Sequence, residues 1–203
     1  MRKVALLTLS TLFFGFQTHA EQADLTQIEN YLNGLKTLKA GFVQMASNGS
    51  TAEGQLYISK PSKIRMEYTA PDPLLIVGNG DYVIYQDKEL DQITNIDYKD
   101  IPATMILTQQ IKFDGKNLKV TDLYKDSGQT SLTVEMPKNP NVKPITLVFD
   151  NSPFRLKQWK VIDSQNIEIT ISLFDVQKDV EIASNMFKFS KASEKKFPKT
   201  QRK

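Results

Sequence analysis

The stretch "LYISKPSKIRMEY", residues 56–68, reads as two short strands folded back on each other. Strand side chains alternate between faces, so Leu56, Ile58 and Lys60 share one side of a first strand, and Ile64, Met66 and Tyr68 one side of a second. Gln55, Tyr57, Ser59, Arg65, Glu67 and Thr69 take the opposite side. Lys60-Pro61-Ser62-Lys63 between the runs carries turn chemistry, with proline supplying a pre-set φ. The hairpin is apolar on one face and polar on the other, the pattern of an antiparallel sheet covered on one side only. A single charge, Lys60, finishes the apolar face.

The same strand chemistry extends in both directions. Turn signals at Asn48-Gly49-Ser50, Pro71-Asp72-Pro73 and Asn79-Gly80-Asp81 divide residues 42 to about 95 into a closely spaced antiparallel meander. Four later runs, 118–125, 130–136, 144–150 and 155–178, continue it, the last broken at Asp163-Ser164-Gln165-Asn166 and the first closed as a hairpin by Asp126-Ser127-Gly128-Gln129. Before the strands, Leu25, Ile28, Leu32, Leu35 and Leu38 recur at helical spacing behind Asp24 and Gln27, which predicts an amphipathic helix over 24–38. Between the two strand groups, Asp100-Ile101-Pro102 predicts a short helix capped by Asp100, with Pro102 in its first turn and an almost wholly apolar body of Ala103, Met105, Ile106 and Leu107.

The ends of the chain differ from its body. Arg2 and Lys3, an apolar run from Val4 to Phe16 and the small residues at Thr18 and Ala20 read as a cleavable signal peptide over 1–20. The run is shorter than the ~20 residues of a spanning helix. A single domain over 21–190 follows, then a basic tail over 191–203 holding Lys191, Lys195, Lys196, Lys199, Arg202 and Lys203. The sequence pI of 8.9 therefore reflects the two ends. A folded body without that basic surface does not suit a nucleic-acid partner.

The chemistry available to the body is narrow. The chain has no cysteine, and its one histidine, His19, lies in the signal. Ser-His-Asp and Cys-His catalysis and the usual zinc, copper and haem ligands are absent from residues 21–203, so neither a metal nor another cofactor is expected. Glu89 and Asp91 could be imagined as a carboxylate pair in an exported hydrolase, but they sit in the charged turn "DKELDQ", where solvation explains them. The apolar hairpin face has two readings: an ordinary core under the helices, or a cavity for an apolar ligand. Met45, Met66, Met105, Met136 and Met186 would suit the second, because an unbranched, polarizable side chain repacks around variable shapes.

In order along the chain, "LKAGFVQ" (38–44), "GQLYISKPSKIRMEY" (54–68), "PDPLLIVGNGDYVIYQDKELDQIT" (71–94), "IPATMIL" (101–107) and "NMFKF" (185–189) resemble the periplasmic outer-membrane lipoprotein carriers, the LolA family. The resemblance covers most of the chain after residue 20. It implies a mainly β, α+β fold: a curved, incomplete antiparallel β-barrel with helices closing its concave apolar face. It further implies a monomeric, non-enzymatic carrier in the periplasm that takes lipoprotein acyl chains from an inner-membrane ABC-type lipoprotein-releasing complex and delivers them to an outer-membrane lipoprotein receptor. Lack of a cysteine after the signal separates the chain from that receptor, which is itself a lipoprotein. Carriage of other amphiphiles such as glycolipids is the alternative. Under the resemblance, Leu56, Ile58, Ile64, Met66, Tyr68, Met105 and Ile106 line the acyl-chain cavity. Lys60 stands where the family often has an arginine that bonds the helical lid, which makes it a latch toward residues 100–108. The tail "SKASEKKFPKTQRK" departs from the family pattern of a further strand.

Overall fold

A computed structural model of the chain describes residues 15–71 and 73–189. One helix, α1 (Gly15–Gly34), precedes eleven strands: β1 (Thr37–Ala46), β2 (Thr51–Ser59), β3 (Lys63–Tyr68), β4 (Leu74–Gly78), β5 (Tyr82–Asp87), β6 (Gln92–Asp97), β7 (Lys119–Lys125), β8 (Gln129–Glu135), β9 (Ile145–Asn151), β10 (Phe154–Ile162) and β11 (Glu168–Lys178). Short 3-10 helices span Tyr98–Asp100, Pro102–Leu107 and Ser184–Phe187. Of the expected signal peptide, residues 1–14 lie outside the described residues, and so does the basic tail. Residues 15–20 are the first turns of α1.

All eleven strands join one antiparallel sheet in the order β6-β5-β4-β3-β2-β1-β11-β10-β9-β8-β7. Every pairing is between chain neighbours except β1 with β11, which brings the two ends of the strand series together. β6 and β7 remain unpaired edges, so the sheet does not close into a full barrel. β7 is blunted by a register shift between Val120 and Asp122 and by a lysine at each end.

The sheet wraps. The 3-10 helix Pro102–Leu107 packs against β10, while its last residue accepts the Ser62 N–H from the β2–β3 turn at 2.9 Å. In a flat sheet β3 and β10 would lie about 19 Å apart, four strand spacings of ~4.8 Å. Curvature lets one short helix touch both. One interior cluster accordingly draws residues from almost every strand, from α1 and from the 3-10 helix.

Two rows of side chains build this interior. Ala40, Leu56, Met66, Ile76 and Tyr85 are cross-strand partners from β1 to β5. Leu123, Leu132, Leu147, Trp159 and Ile171 do the same from β7 to β11. Period-two patterning thus reads directly as an inward-facing surface.

Three expectations need correction. The N-terminal helix stops at Gly34 rather than residue 38; Leu35 and Leu38 are buried because they lead into and lie on β1. Asn33-Gly34 is an ordinary stop signal that the leucine spacing masked. Asp100 does not cap the second helix: it belongs to the preceding turn Tyr98–Asp100, and the cap position is Ile101, with no side-chain bond. Pro102 does occupy the first turn. Finally, the outer face is not wet across β3 and β4. Val77 and Leu75, opposite Arg65 and Glu67, are buried, and the C-terminal 3-10 helix packs on β3 with Arg65 Nη1 donating to the Met186 carbonyl at 3.1 Å. The unbroken apolar run "LLIVG" carried that signal.

Candidate functional site

The hairpin of residues 56–68 forms as its alternation requires, with Leu56 opposite Met66 and Ile58 opposite Ile64. Tyr68 is opposite Gly54, and Gly54 is opposite Phe42 on the next strand. With no side chain between them, the Phe42 and Tyr68 rings meet edge to face over Gly54, centroids 4.9 Å apart. The Tyr68 hydroxyl donates to Gln44 Oε1 at 2.8 Å, which settles the one polar end of this surface. Burial raises the Tyr68 phenol well above its ordinary value, with Tyr85 adding to the shift.

Leu56, Ile58, Ile64, Met66, Met105 and Ile106 all fall in the interior cluster and are buried, and Tyr68 packs against it half-buried. The candidate cavity residues are therefore brought together in one cluster, five on the hairpin of β2 and β3 and two, Met105 and Ile106, on the 3-10 helix. Ile28 and Leu32 of α1 and Leu107 of the 3-10 helix are members of the same buried cluster. Cover thins toward the β6 edge. Along the inner rows Tyr85 and Ile96 are 38% and 37% exposed, where Leu56 and Ile58 were 0% and 1%.

Lys60 lies just beyond the end of β2, in the turn. Its ammonium donates to the Leu32 carbonyl at 2.7 Å, and Leu32 is in the last turn of α1, whose final carbonyls lack intrahelical partners. A cation at that end also complements the helix dipole. Partial burial lowers the Lys60 pKa from the ordinary lysine value. Lys60 thus bonds α1, while the link from this turn to residues 100–108 is the backbone bond from Ser62 to Leu107. Tyr98, at the start of that segment, is pushed up to about 12 by burial, with the Ser62 hydroxyl drawing it slightly back.

Sequence reasoning missed two residues that tie α1 to the chain after the 3-10 helix. Asn33 accepts the Ile111 N–H at 2.7 Å and donates to the Ile111 carbonyl at 2.9 Å. Glu29 accepts the Phe113 N–H at 2.6 Å. Both lie on α1 and clamp the chain that follows the 3-10 helix. Their spacing of four residues on a helix puts them on one face, but nothing in the sequence names residues 111 and 113 as their partners.

Met105 lines a groove of about 460 Å³ with Leu118 and Met136 on its floor. No group of histidine, cysteine or carboxylate residues suited to a metal occurs among the described residues. Glu89 and Asp91 are exposed on the turn between β5 and β6.

Comparison with known proteins agrees with this architecture. Residues 33–190 match the family model "Outer membrane lipoprotein carrier protein LolA". The outer-membrane lipoprotein carrier protein of Pseudomonas aeruginosa is 27% identical over 200 residues, covering 93% of this chain and 95% of that protein. That of Chromobacterium violaceum is 36% identical over 92 residues, 44% of this chain and 45% of that protein. An uncharacterised protein of Rickettsia prowazekii is 26% identical over 165 residues, 81% of this chain and 76% of its own. Among solved structures, a putative outer membrane lipoprotein-sorting protein domain from Vibrio parahaemolyticus has a TM-score of 0.50 at 12% identity, over 83% of this chain and 97% of that one. A DUF1329 family protein from Desulfovibrio piger gives 0.51 at 8%, over 83% and 96%, and these two likenesses concern the fold alone. With the family match spanning the helix end, the whole sheet and the C-terminal 3-10 helix, the chain belongs to the outer membrane lipoprotein carrier protein LolA family.

Proposed function

We propose that this protein is a periplasmic, non-enzymatic carrier that shelters the acyl chains of lipoproteins on the inner face of its sheet during passage to the outer membrane. The observation that carries the reading is the composition of the inner face: Leu56, Ile58, Ile64 and Met66 lie on it without a buried charge, behind cover that is tied on by a few polar bonds. An acyl chain exposed to water costs about 0.8 kcal/mol per CH₂, on the order of 10 kcal/mol for a chain of a dozen carbons. Such cargo needs shelter, and a surface without directional bonds can accept tails in many conformations. An ABC-type lipoprotein-releasing complex on the inner membrane and a lipoprotein receptor on the outer membrane are the donor and acceptor that the family membership suggests. A domain over 21–190 released from a signal peptide, acting as a monomer, completes the proposal.

In this proposal the present form is the closed one. Loading requires α1 and the 3-10 helix Pro102–Leu107 to part from the sheet, so that acyl chains replace Ile28, Leu32 and Ile106 against Leu56 and Met66. In this scheme Lys60 is the latch: one charged hydrogen bond on the last turn of α1, broken on opening at a cost of about 1 kcal/mol. Lys60→Ala is expected to leave the fold intact and to alter the hold on cargo. The test is to incubate wild type and Lys60→Ala with lipoprotein-loaded inner-membrane vesicles and to measure lipoprotein released in soluble complex and then passed to outer membranes. Release by wild type and impaired transfer by the variant is the expected result. Absence of release by wild type contradicts the carrier reading, and identical behaviour of the variant removes Lys60 from it.

A further inference from the structure

The groove at Met105 has a chemistry distinct from the filled interior behind it. Met105 and Leu118 of its floor belong to the interior cluster and Met136 packs against that cluster, so the floor is the outer wall of the core. Lys99, Lys112 and Lys138 are also among the residues that line it, and no carboxylate is. Lys99 is already paired with Asp97 at 2.9 Å, and Asp100 beyond it is bound by Asn139 at 3.4 Å. Lys112 and Lys138 are exposed and form no ion pair among the described residues. A lining that combines Met105, Leu118 and Met136 with two lysines outside any ion pair among the described residues complements a molecule that is apolar at one end and anionic at the other. The volume, about 460 Å³, lies in the range that holds a single small ligand.

We infer that this groove binds a single-chain amphiphile with an anionic head group, carboxylate or phosphate, its tail on Met105, Leu118 and Met136 and its head between Lys112 and Lys138. The inference deepens the carrier reading by assigning a charge preference to the mouth of its apolar site, but it stands on the groove alone. Free fatty acids and the head groups of an anionic bilayer share this chemistry. The groove, a recess rather than a flat face, favours the first.

The test titrates the protein with palmitate and with hexadecanol, equal in chain length and different in charge, at low and high salt, and repeats both with Lys112→Gln/Lys138→Gln. Palmitate is expected to bind about tenfold more tightly than the alcohol at low salt, as two partly exposed charge contacts allow. That preference should shrink at high salt and vanish in the double variant, with hexadecanol affinity unchanged. Equal affinities for acid and alcohol in the wild type overturn the inference, as does a preference that survives in the variant. Co-sedimentation with phosphatidylglycerol vesicles without uptake of palmitate also overturns it, in favour of a membrane-surface contact. Lipoprotein capture measured on the same samples separates the two readings. Loss of capture with the acid preference intact removes only the carrier reading, and capture without any preference removes only this one.

Discussion

Gly54→Ala is expected to lower unfolding stability by about 3 kcal/mol, near the upper end for a single added methyl group in a packed interior. A Cβ at that position would sit 2.1 Å from the Glu67 backbone oxygen and 2.9 Å from Phe42 Cε1. Glu67 is held in register by strands on both sides, Gln55 on β2 and Leu75 on β4, so its carbonyl cannot retreat. The Phe42 and Tyr68 rings, which meet over Gly54, would have to separate as well. The contrast is Gly41, where the three atoms nearest an added Cβ all belong to the ring of Phe174, an exposed side chain that can rotate away. Urea midpoints of the two variants give the comparison. A Gly54→Ala variant as stable as Gly41→Ala would show that the hairpin is looser than its geometry here.

Asn33→Ala is expected to cost about 1–2 kcal/mol, because it removes the partner of both the N–H and the carbonyl of Ile111, while the exposure of Asn33 itself lets water take up part of the loss. The amide of Asn33 matches a donor and an acceptor on one peptide unit. Asn33→Asp keeps the acceptor for the N–H and loses the donor, so it should fall between wild type and alanine. Hydrogen exchange at Ile111 reads the effect locally: its protected amide should become fast in Asn33→Ala while amides of β9 and β10 stay slow. If protection at Ile111 survives the alanine variant, the clamp from α1 is not what orders that segment.

These two residues also mark what the sequence could and could not disclose. The inner row Leu56-Met66 and its neighbour Ile58-Ile64 follow from period-two alternation plus a four-residue turn, which is why the hairpin was legible before any coordinates. The strand runs after residue 118 were legible for the same reason, since Asp126-Ser127-Gly128-Gln129 and Asp163-Ser164-Gln165-Asn166 punctuate them. The pairing of β1 with β11, and with it the curvature, was not, because no local pattern encodes a partner more than a hundred residues away. Leu35 and Leu38 fitted the helical spacing, and Gly34, which ends α1, is the residue that outweighs it. The site was legible as a surface and not as a space. Alternation shows that Met66 faces inward, but whether Ile28, Leu32 and Ile106 fill the room in front of it depends on where α1 and the 3-10 helix come to rest. Lys60 was legible as an oddity. Its acceptor, the Leu32 carbonyl, is a backbone atom that any residue would offer.

If lipoprotein acyl chains lie on the inner face of the sheet, as proposed, the methionines of the chain provide their own probe. Met66 and Met105 belong to the interior cluster, whereas Met45 is 57% exposed on the outside. The measurement is to load the protein with lipoprotein after replacing its methionines by a photoreactive methionine analogue, irradiate, and locate acyl-chain adducts by peptide mass spectrometry. Adducts at Met66 and Met105 with none at Met45 are the predicted result. Adducts at Met45, or a loaded complex that yields none at Met66 and Met105, would contradict it.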